Sequence, residues 1–221
     1  MTTRFLVFLF TFFSVLEVSV AGNDPEEMLS RIRKKYEKID DISVTYTQSI
    51  VFSVTKNEQS SSGKFRMKKG NKYRIESDDQ TIITDGKTVW SYSKSNQQVY
   101  IENYKDDPTA LTPERIFINV PKQSVATILG KEKVGNKETT LLKLVPKEEV
   151  SEKGSHLISS NWKWIKMWID ENEWLTRKIQ VLDGSDNMLT YVLDEITINA
   201  KLDGKFFQFQ NPPDVEVIDL R

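Results

Sequence analysis

The hydrophobic period of this chain changes at residue 42, and that change limits its fold more than any other feature. Upstream, Leu29, Ile32, Tyr36 and Ile39 recur at helical spacing and draw one apolar stripe. From Ile42 the spacing is two. Ile42, Val44, Tyr46, Ile50, Phe52 and Val54 share one face, while Ser43, Thr45, Thr47, Ser49 and Ser53 share the other, the pattern of a long, half-buried strand.

The helix has a clear start. Asp24 can cap it, Pro25 fits its first turn, and Glu27 sits where a capping box would close. Arg31, Arg33, Lys34, Lys35 and Lys38 fall on its wetter faces, as a solvated surface or as a patch for anionic lipid or an acidic partner. After the first strand, strands are expected over 63–69, 72–77, 81–84, 88–93 and 97–101, with Lys69-Gly70-Asn71 and Asp85-Gly86 as hairpin turns. Asp106-Asp107-Pro108 breaks the pattern. Thr112-Pro113-Glu114 then starts a short amphipathic helix carrying Ile116, Phe117 and Val120, and a further helical turn is expected over 125–129. Strands resume over 131–134 and 139–145, the polar stretch 146–160 reads as a long loop, and strands return over 162–169, 175–182, 188–199 and 206–209. The sum is a mostly antiparallel α+β domain of about ten or eleven strands with two or three helices. A sheet that long curls, and helices are the natural cover for its concave face.

Composition narrows the function. Lys plus Arg number 31 against 32 Asp plus Glu, so there is no positive excess with which to bind nucleic acid. Cysteine is absent and His156 is the only histidine, which removes thiol nucleophiles and every zinc site needing two or more such ligands. Asp183, Asp186 and Asn187 fail the spacing of a calcium loop, and no metal or other cofactor is expected. The adjacent acids Asp78-Asp79, Asp106-Asp107 and Glu148-Glu149 point apart on a strand and read as solvated charges, so no catalytic residue is assigned. Trp162, Trp164 and Trp168 alternate with Ile165, Met167 and Ile169. That strand is either central and packed on both sides, or a wall between a core and an apolar pocket.

The N-terminus reads as an address. Arg4 precedes an apolar run from Phe5 to Leu16, too short to span a bilayer comfortably, and Ser19 and Ala21 are small residues at the −3 and −1 positions of a cleavage site. Residues 1–21 are therefore expected to be a signal peptide cleaved after Ala21, and 22–221 one domain.

The segment Asp85-Gly86-Lys87-Thr88-Val89-Trp90-Ser91-Tyr92 resembles the most recognisable stretch of the LolA family, periplasmic carriers of lipoproteins to the outer membrane. The order around it is similar too: Tyr46-Thr47-Gln48, Ser62-Gly63-Lys64-Phe65, Gly70-Asn71-Lys72-Tyr73-Arg74, Gln98-Val99-Tyr100, Trp168-Ile169-Asp170 and the ending from Phe207 to Asp219. The resemblance implies an incomplete, strongly curved antiparallel β-barrel, with helices as a lid over a hydrophobic cavity for acyl chains. It implies lipidated proteins as cargo, an inner-membrane lipoprotein-releasing transporter and an outer-membrane acceptor as partners, and a monomer in the periplasm. The family's lid-latching arginine, just before a proline, falls on Lys69 and Gly70 here, which makes Lys69 the latch candidate with Arg66 or Arg74 as substitutes. Phe65, Met67, Tyr73, Ile75, Ile116 and Phe117 are then expected to line the cavity. Two other functions stay open: a lipid- or lipoprotein-sensing module on the same architecture, and an enzyme built on carboxylates, disfavoured because no His, Cys or Ser constellation is present.

Overall fold

A computed structural model describes residues 24–105, 116, 120–147, 149–150, 156–157 and 161–221. The expected signal peptide and Phe117 lie outside the described residues, as does the helix expected to begin at Thr112, apart from Ile116 and its end at Val120.

Helix α1 (Pro25–Glu37) begins as the sequence dictates, with Asp24 accepting a hydrogen bond from the Glu26 N–H at 3.0 Å and Pro25 in the first turn. The capping box does not close. Glu27 accepts from Arg31 one turn on, at 2.5 and 3.0 Å. Met28 joins Leu29, Ile32 and Tyr36 as the buried stripe. Acids in the first turn and lysines in the last oppose the helix dipole favourably. Among the described residues this is the one helix longer than a single turn; the expected second helix falls largely on residues outside them, and the third, expected over 125–129, is not a helix.

The strands are β1 (Asp41–Val51), β2 (Glu58–Lys68), β3 (Lys72–Ser77), β4 (Gln80–Asp85), β5 (Thr88–Ser93), β6 (Gln98–Asn103), β7 (Ser124–Val134), β8 (Lys137–Pro146), β9 (Glu149–Val150), β10 (His156–Leu157), β11 (Trp162–Asp170), β12 (Leu175–Asp183), β13 (Met188–Ile198) and β14 (Glu216–Asp219). Twelve form one sheet in the order β14-β6-β5-β4-β3-β2-β1-β13-β12-β11-β8-β7, and β9 and β10 form a separate hairpin. All neighbours in the large sheet are antiparallel except β14 with β6. The sheet ends at β14 and β7, so the barrel is open. Bulges in β1/β13, β11/β12 and β7/β8 add bends along it.

Several elements depart from the sequence reading. Residues 125–129 are strand, not helix: Val125 and Leu129 point outward, while Ala126 and Ile128 pack inward opposite Leu144 and Leu142. An apolar run of five residues fits either period, and here pairing with β8 decides it. The expected strand over 206–209 is instead a 3-10 turn, Gly204–Phe207, capped by the Asp203 carboxylate. β1 stops at Val51, and Val54 is exposed in the following turn. β2 reaches back through a polar stretch to Glu58, and the short edge strand β14 has no alternation long enough to read.

Each face of the sheet has its own core. On the concave side, the α1 stripe packs with Leu142, Leu144, Ile165, Met167, Ile169, Ile179 and Val181. On the convex side, the chain leaving β13 runs back across β2–β5 toward β6. The buried Asp41 carboxylate accepts the Ala200 and Leu202 N–H groups at 2.8 and 3.2 Å and fixes the start of this strap. Phe207 is the strap's buried anchor, and Ile83, Val99 and Ile101 are buried on the sheet face the strap crosses.

Candidate functional site

Period-two alternation decides which side chains can meet. Across β1, β2 and β3 the row Val44, Phe65, Ile75 points to the concave side, and the neighbouring row Ser43, Arg66, Arg74 points to the convex side. The concave row opens onto a cavity of about 250 Å³. β1 contributes Ile42, Val44, Tyr46 and Gln48, β2 Phe65 and Met67, β3 Ile75, β12 Ile179 and Val181, and β13 Leu189, Tyr191, Leu193 and Ile196; Tyr36 of α1 and Ile116 complete the lining. The Tyr36 hydroxyl accepts from the Thr176 N–H at 3.3 Å, which ties the end of α1 to β12. Burial pushes the Tyr36, Tyr46 and Tyr191 phenols above their ordinary range, as expected where little water reaches a phenolate.

Of the expected cavity residues, Phe65, Met67, Ile75 and Ile116 lie in this lining. Tyr73 is opposite Met67 on the same face but lies beyond the cavity wall, and its phenol is raised chiefly by burial and then by the nearby Tyr104. Lys69 sits in the β2–β3 turn, more than half exposed, and holds the α1–β1 connection at Asp40: its Nζ is 2.7 Å from Oδ1, and its N–H donates to the Asp40 carbonyl. Arg66 and Arg74 are on the opposite face and are engaged there by Glu76, at 2.5 and 2.7 Å. Burial alone would raise the Glu76 pKa, but the two guanidiniums outweigh it and hold the carboxyl below its usual range. They cannot reach a lid over the cavity.

A larger hollow, about 720 Å³, lies on the convex face between the strap and β2–β5. In its wall Arg66, Glu76 and Arg74 engage one another, with Arg66 also stacked over Phe206. The smaller cavity is lined almost entirely by apolar side chains and is the candidate site.

The tryptophan strand resolves into two faces. Ile165, Met167 and Ile169 are in the concave core, and a register shift after Trp162 brings that residue into the core as well. Trp168 is buried on the other face, where its Nε1 donates to Glu132 at 2.7 Å and the Lys178 ammonium stacks on its ring. The strand backs the core that adjoins the cavity, but none of its tryptophans lines it. The lining residues that sequence reasoning missed are on β1, β12 and β13, with Tyr36 of α1. Leu189, Tyr191 and Leu193 alternate legibly, but their pairing with β1 joins residues about 140 positions apart, which no local pattern reports.

One long, unclosed, mostly antiparallel sheet with an apolar cavity on the face that packs α1 and a strap across the other face defines the class of fold. The family model described as outer membrane lipoprotein carrier protein LolA matches residues 37–210, and the chain belongs to that family. It is 30% identical to the outer-membrane lipoprotein carrier protein of Haemophilus influenzae over 196 residues, covering 87% of each chain. It is 28% identical to the protein of that name from Pasteurella multocida over 195 residues, again covering 87% of each. Among solved structures, an uncharacterized conserved protein from Thermus thermophilus superposes with a TM-score of 0.53 at 13% identity, covering 88% of this chain and 98% of that one, a likeness of fold.

Proposed function

We propose that this protein is exported to the periplasm, is cleaved after Ala21, and as a monomer carries lipoproteins from an inner-membrane releasing transporter to an outer-membrane acceptor. Their acyl chains are held in the concave cavity against Phe65, Met67, Ile75 and Ile116, with Tyr73 at its margin. Family membership and the naming of its relatives as lipoprotein carriers support the reading. The observation that carries it is the apolar cavity between the sheet and α1.

The physical need is large. Each buried CH₂ is worth about 0.8 kcal/mol, so acyl chains do not cross an aqueous compartment unaided. A cavity of about 250 Å³ is below the ordinary size of a small-molecule site, so long chains enter only if the packing above it gives way. Cargo and the α1 stripe thus compete for one apolar surface, and closure of the empty protein offsets part of the binding energy so that release needs no nucleotide. Lys69 serves as a pin at the α1–β1 hinge through Asp40.

The test is to purify the exported protein and identify its bound mass by native mass spectrometry and lipid extraction. A lipidated polypeptide is the expected result. If the protein, incubated with membranes whose transporter is releasing lipoproteins, leaves every lipoprotein in the membrane fraction, the carrier reading is wrong.

A further inference from the structure

Four of the cavity's lining residues are polar; Tyr36 is held by the Thr176 N–H, and the other three are Tyr46, Gln48 and Tyr191. Gln48 and Tyr191 are directly opposite each other across β1 and β13, so both side chains rise from adjacent points on the concave face. Tyr46 stands two residues along β1, and its phenol lies across Gly63 of β2: a Cβ at Gly63 would come within 2.8 Å of the Tyr46 hydroxyl. The glycine makes room for that ring. Neither hydroxyl nor the Gln48 amide has a hydrogen-bond partner among the described residues.

Such groups are unfavourable additions to an apolar wall. Their polar atoms still reach water in the empty protein, and once acyl tails exclude that water their donors need another partner. Their location along the strands is also ordered. Below them the concave face is Ile42, Val44, Phe65 and Met67; beyond them its β2 side turns polar and exposed, with Ser61 opposite Gln48 and Gln59 opposite Ile50, while toward β12 the lining stays apolar through Leu189 and Val181. On the β2 side the three side chains therefore mark the level at which the apolar hollow meets water. All three can donate, through two O–H groups and an amide N–H. What matches them is a ligand whose apolar tails end in acceptor oxygens at one depth.

We propose that Tyr46, Gln48 and Tyr191 form a polar collar that recognises the ester carbonyls of a diacylglyceryl group and so sets how deep its tails sit. This deepens the carrier reading and rests on it. The recognised chemistry is shared by the diacylglyceryl end of a lipoprotein and by a diacyl glycerophospholipid.

The experiment compares binding of matched probes that differ only at the linkage: a dipalmitoylglyceryl-cysteine lipopeptide and its dihexadecyl ether counterpart, and diester and diether phosphatidylglycerol. The ether lacks the carbonyls while keeping the tails. The wild-type protein is expected to bind ester over ether by about tenfold, the yield of one or two hydrogen bonds. Gln48→Leu combined with Tyr191→Phe is expected to bring that ratio to within about twofold while the ether probe is held at least as tightly. Because the ratio is taken within each protein, a general loss of stability cancels from it. Ester preference confined to the lipopeptide pair identifies lipoprotein as the source, preference confined to the phospholipid pair identifies phospholipid, and preference in both shows that the glyceryl esters alone are read. Equal binding of ester and ether by the wild-type protein overturns the collar but leaves the carrier reading standing. Failure to bind any of the four probes overturns both.

Discussion

Ile75→Glu is the most direct chemical probe of the cavity. Ile75 is in the middle of the concave row, opposite Phe65, and is part of the lining. In the empty protein, a glutamate here can keep its charge by drawing water into the hollow. Once an acyl chain fills that space, the cheapest accommodation is protonation, because a bare carboxylate against hydrocarbon is far more costly. At pH 7, neutralising a carboxyl with an ordinary pKa of about 4.3 costs about 3.7 kcal/mol, which is about 500-fold in affinity. At pH 5 the same step costs about 1 kcal/mol, or about sixfold. The sign follows from the acid: the penalty exists only where the free residue is ionised, so it shrinks as pH falls toward its pKa. The control is Ile75→Gln, of nearly the same shape and without a charge. Displacement of a fluorescent diacyl lipid, measured for both variants from pH 5 to pH 7.5, gives the ratio of their affinities. The ratio should widen by about 250-fold across that range. A ratio independent of pH would mean that the residue at 75 does not face the bound chain, and the site would have to be sought elsewhere.

Three further outcomes test other parts of the molecule. Phe207→Ala removes the strap's buried anchor and should lower stability by about 3–4 kcal/mol in urea unfolding; an unchanged midpoint would mean that the strap carries no packing energy. Asp170 is buried and its pKa lies below the ordinary value, because hydrogen bonds from Arg177 and the Asn172 N–H, with the Arg177 and Lys137 charges, outweigh the effect of burial; Asp170→Asn should cost about 3 kcal/mol at pH 7. The wild-type advantage should fade as pH falls below about 4 and through the depressed native value, since the carboxylate stabilises only while ionised, and a gap constant down to pH 2 would contradict this. Lys69→Leu breaks an exposed ion pair worth at most about 1 kcal/mol, so lipoprotein transfer to an acceptor should change by less than about fivefold; a trapped complex would show that Lys69 alone latches the closed state.

The fold was legible wherever local chemistry decides structure. Asp24 and Pro25 mark the start of α1, and the hairpins at Gly70-Asn71 and Gly86 fall where residues with positive φ were expected, with Gly70 at 90°, Asn71 at 58° and Gly86 at 93°. Illegible were the features that depend on distant partners. Residues 125–129 become a strand because β8 pairs with them, and Phe206 and Phe207 form a turn because Phe207 is the anchor that packs behind the sheet. The cavity was half visible for the same reason. Its β2 and β3 wall follows from alternation within hairpins, whereas its β13 wall requires β1 to pair with a strand near the other end of the chain. Lys69 illustrates the converse. Period two carried forward from Phe65 and Met67 would aim it into the cavity, but β2 ends at Lys68 and the turn releases it toward Asp40.

The two cores make the molecule mechanically asymmetric, and that asymmetry says which side can open. Behind the sheet, Phe207 packs on β3 and β4, Asp41 holds the strap's origin, and β14 completes an edge by pairing with β6. Displacing that layer would break strand pairing and uncover a buried polar group as well as apolar surface. On the concave side α1 is held mainly by side-chain packing, from Met28, Leu29, Ile32 and Tyr36, with the Thr176 N–H donating to Tyr36 and Arg31 stacked over Trp174. Exposing three such apolar side chains costs about 5–9 kcal/mol, and burying one acyl chain of about sixteen carbons is worth about 12 kcal/mol. These are comparable magnitudes, so one or two chains can displace the helix and the helix can still help to expel them. Under the proposed function, loading and release are then one exchange of apolar contacts at the front of a sheet whose back stays fixed.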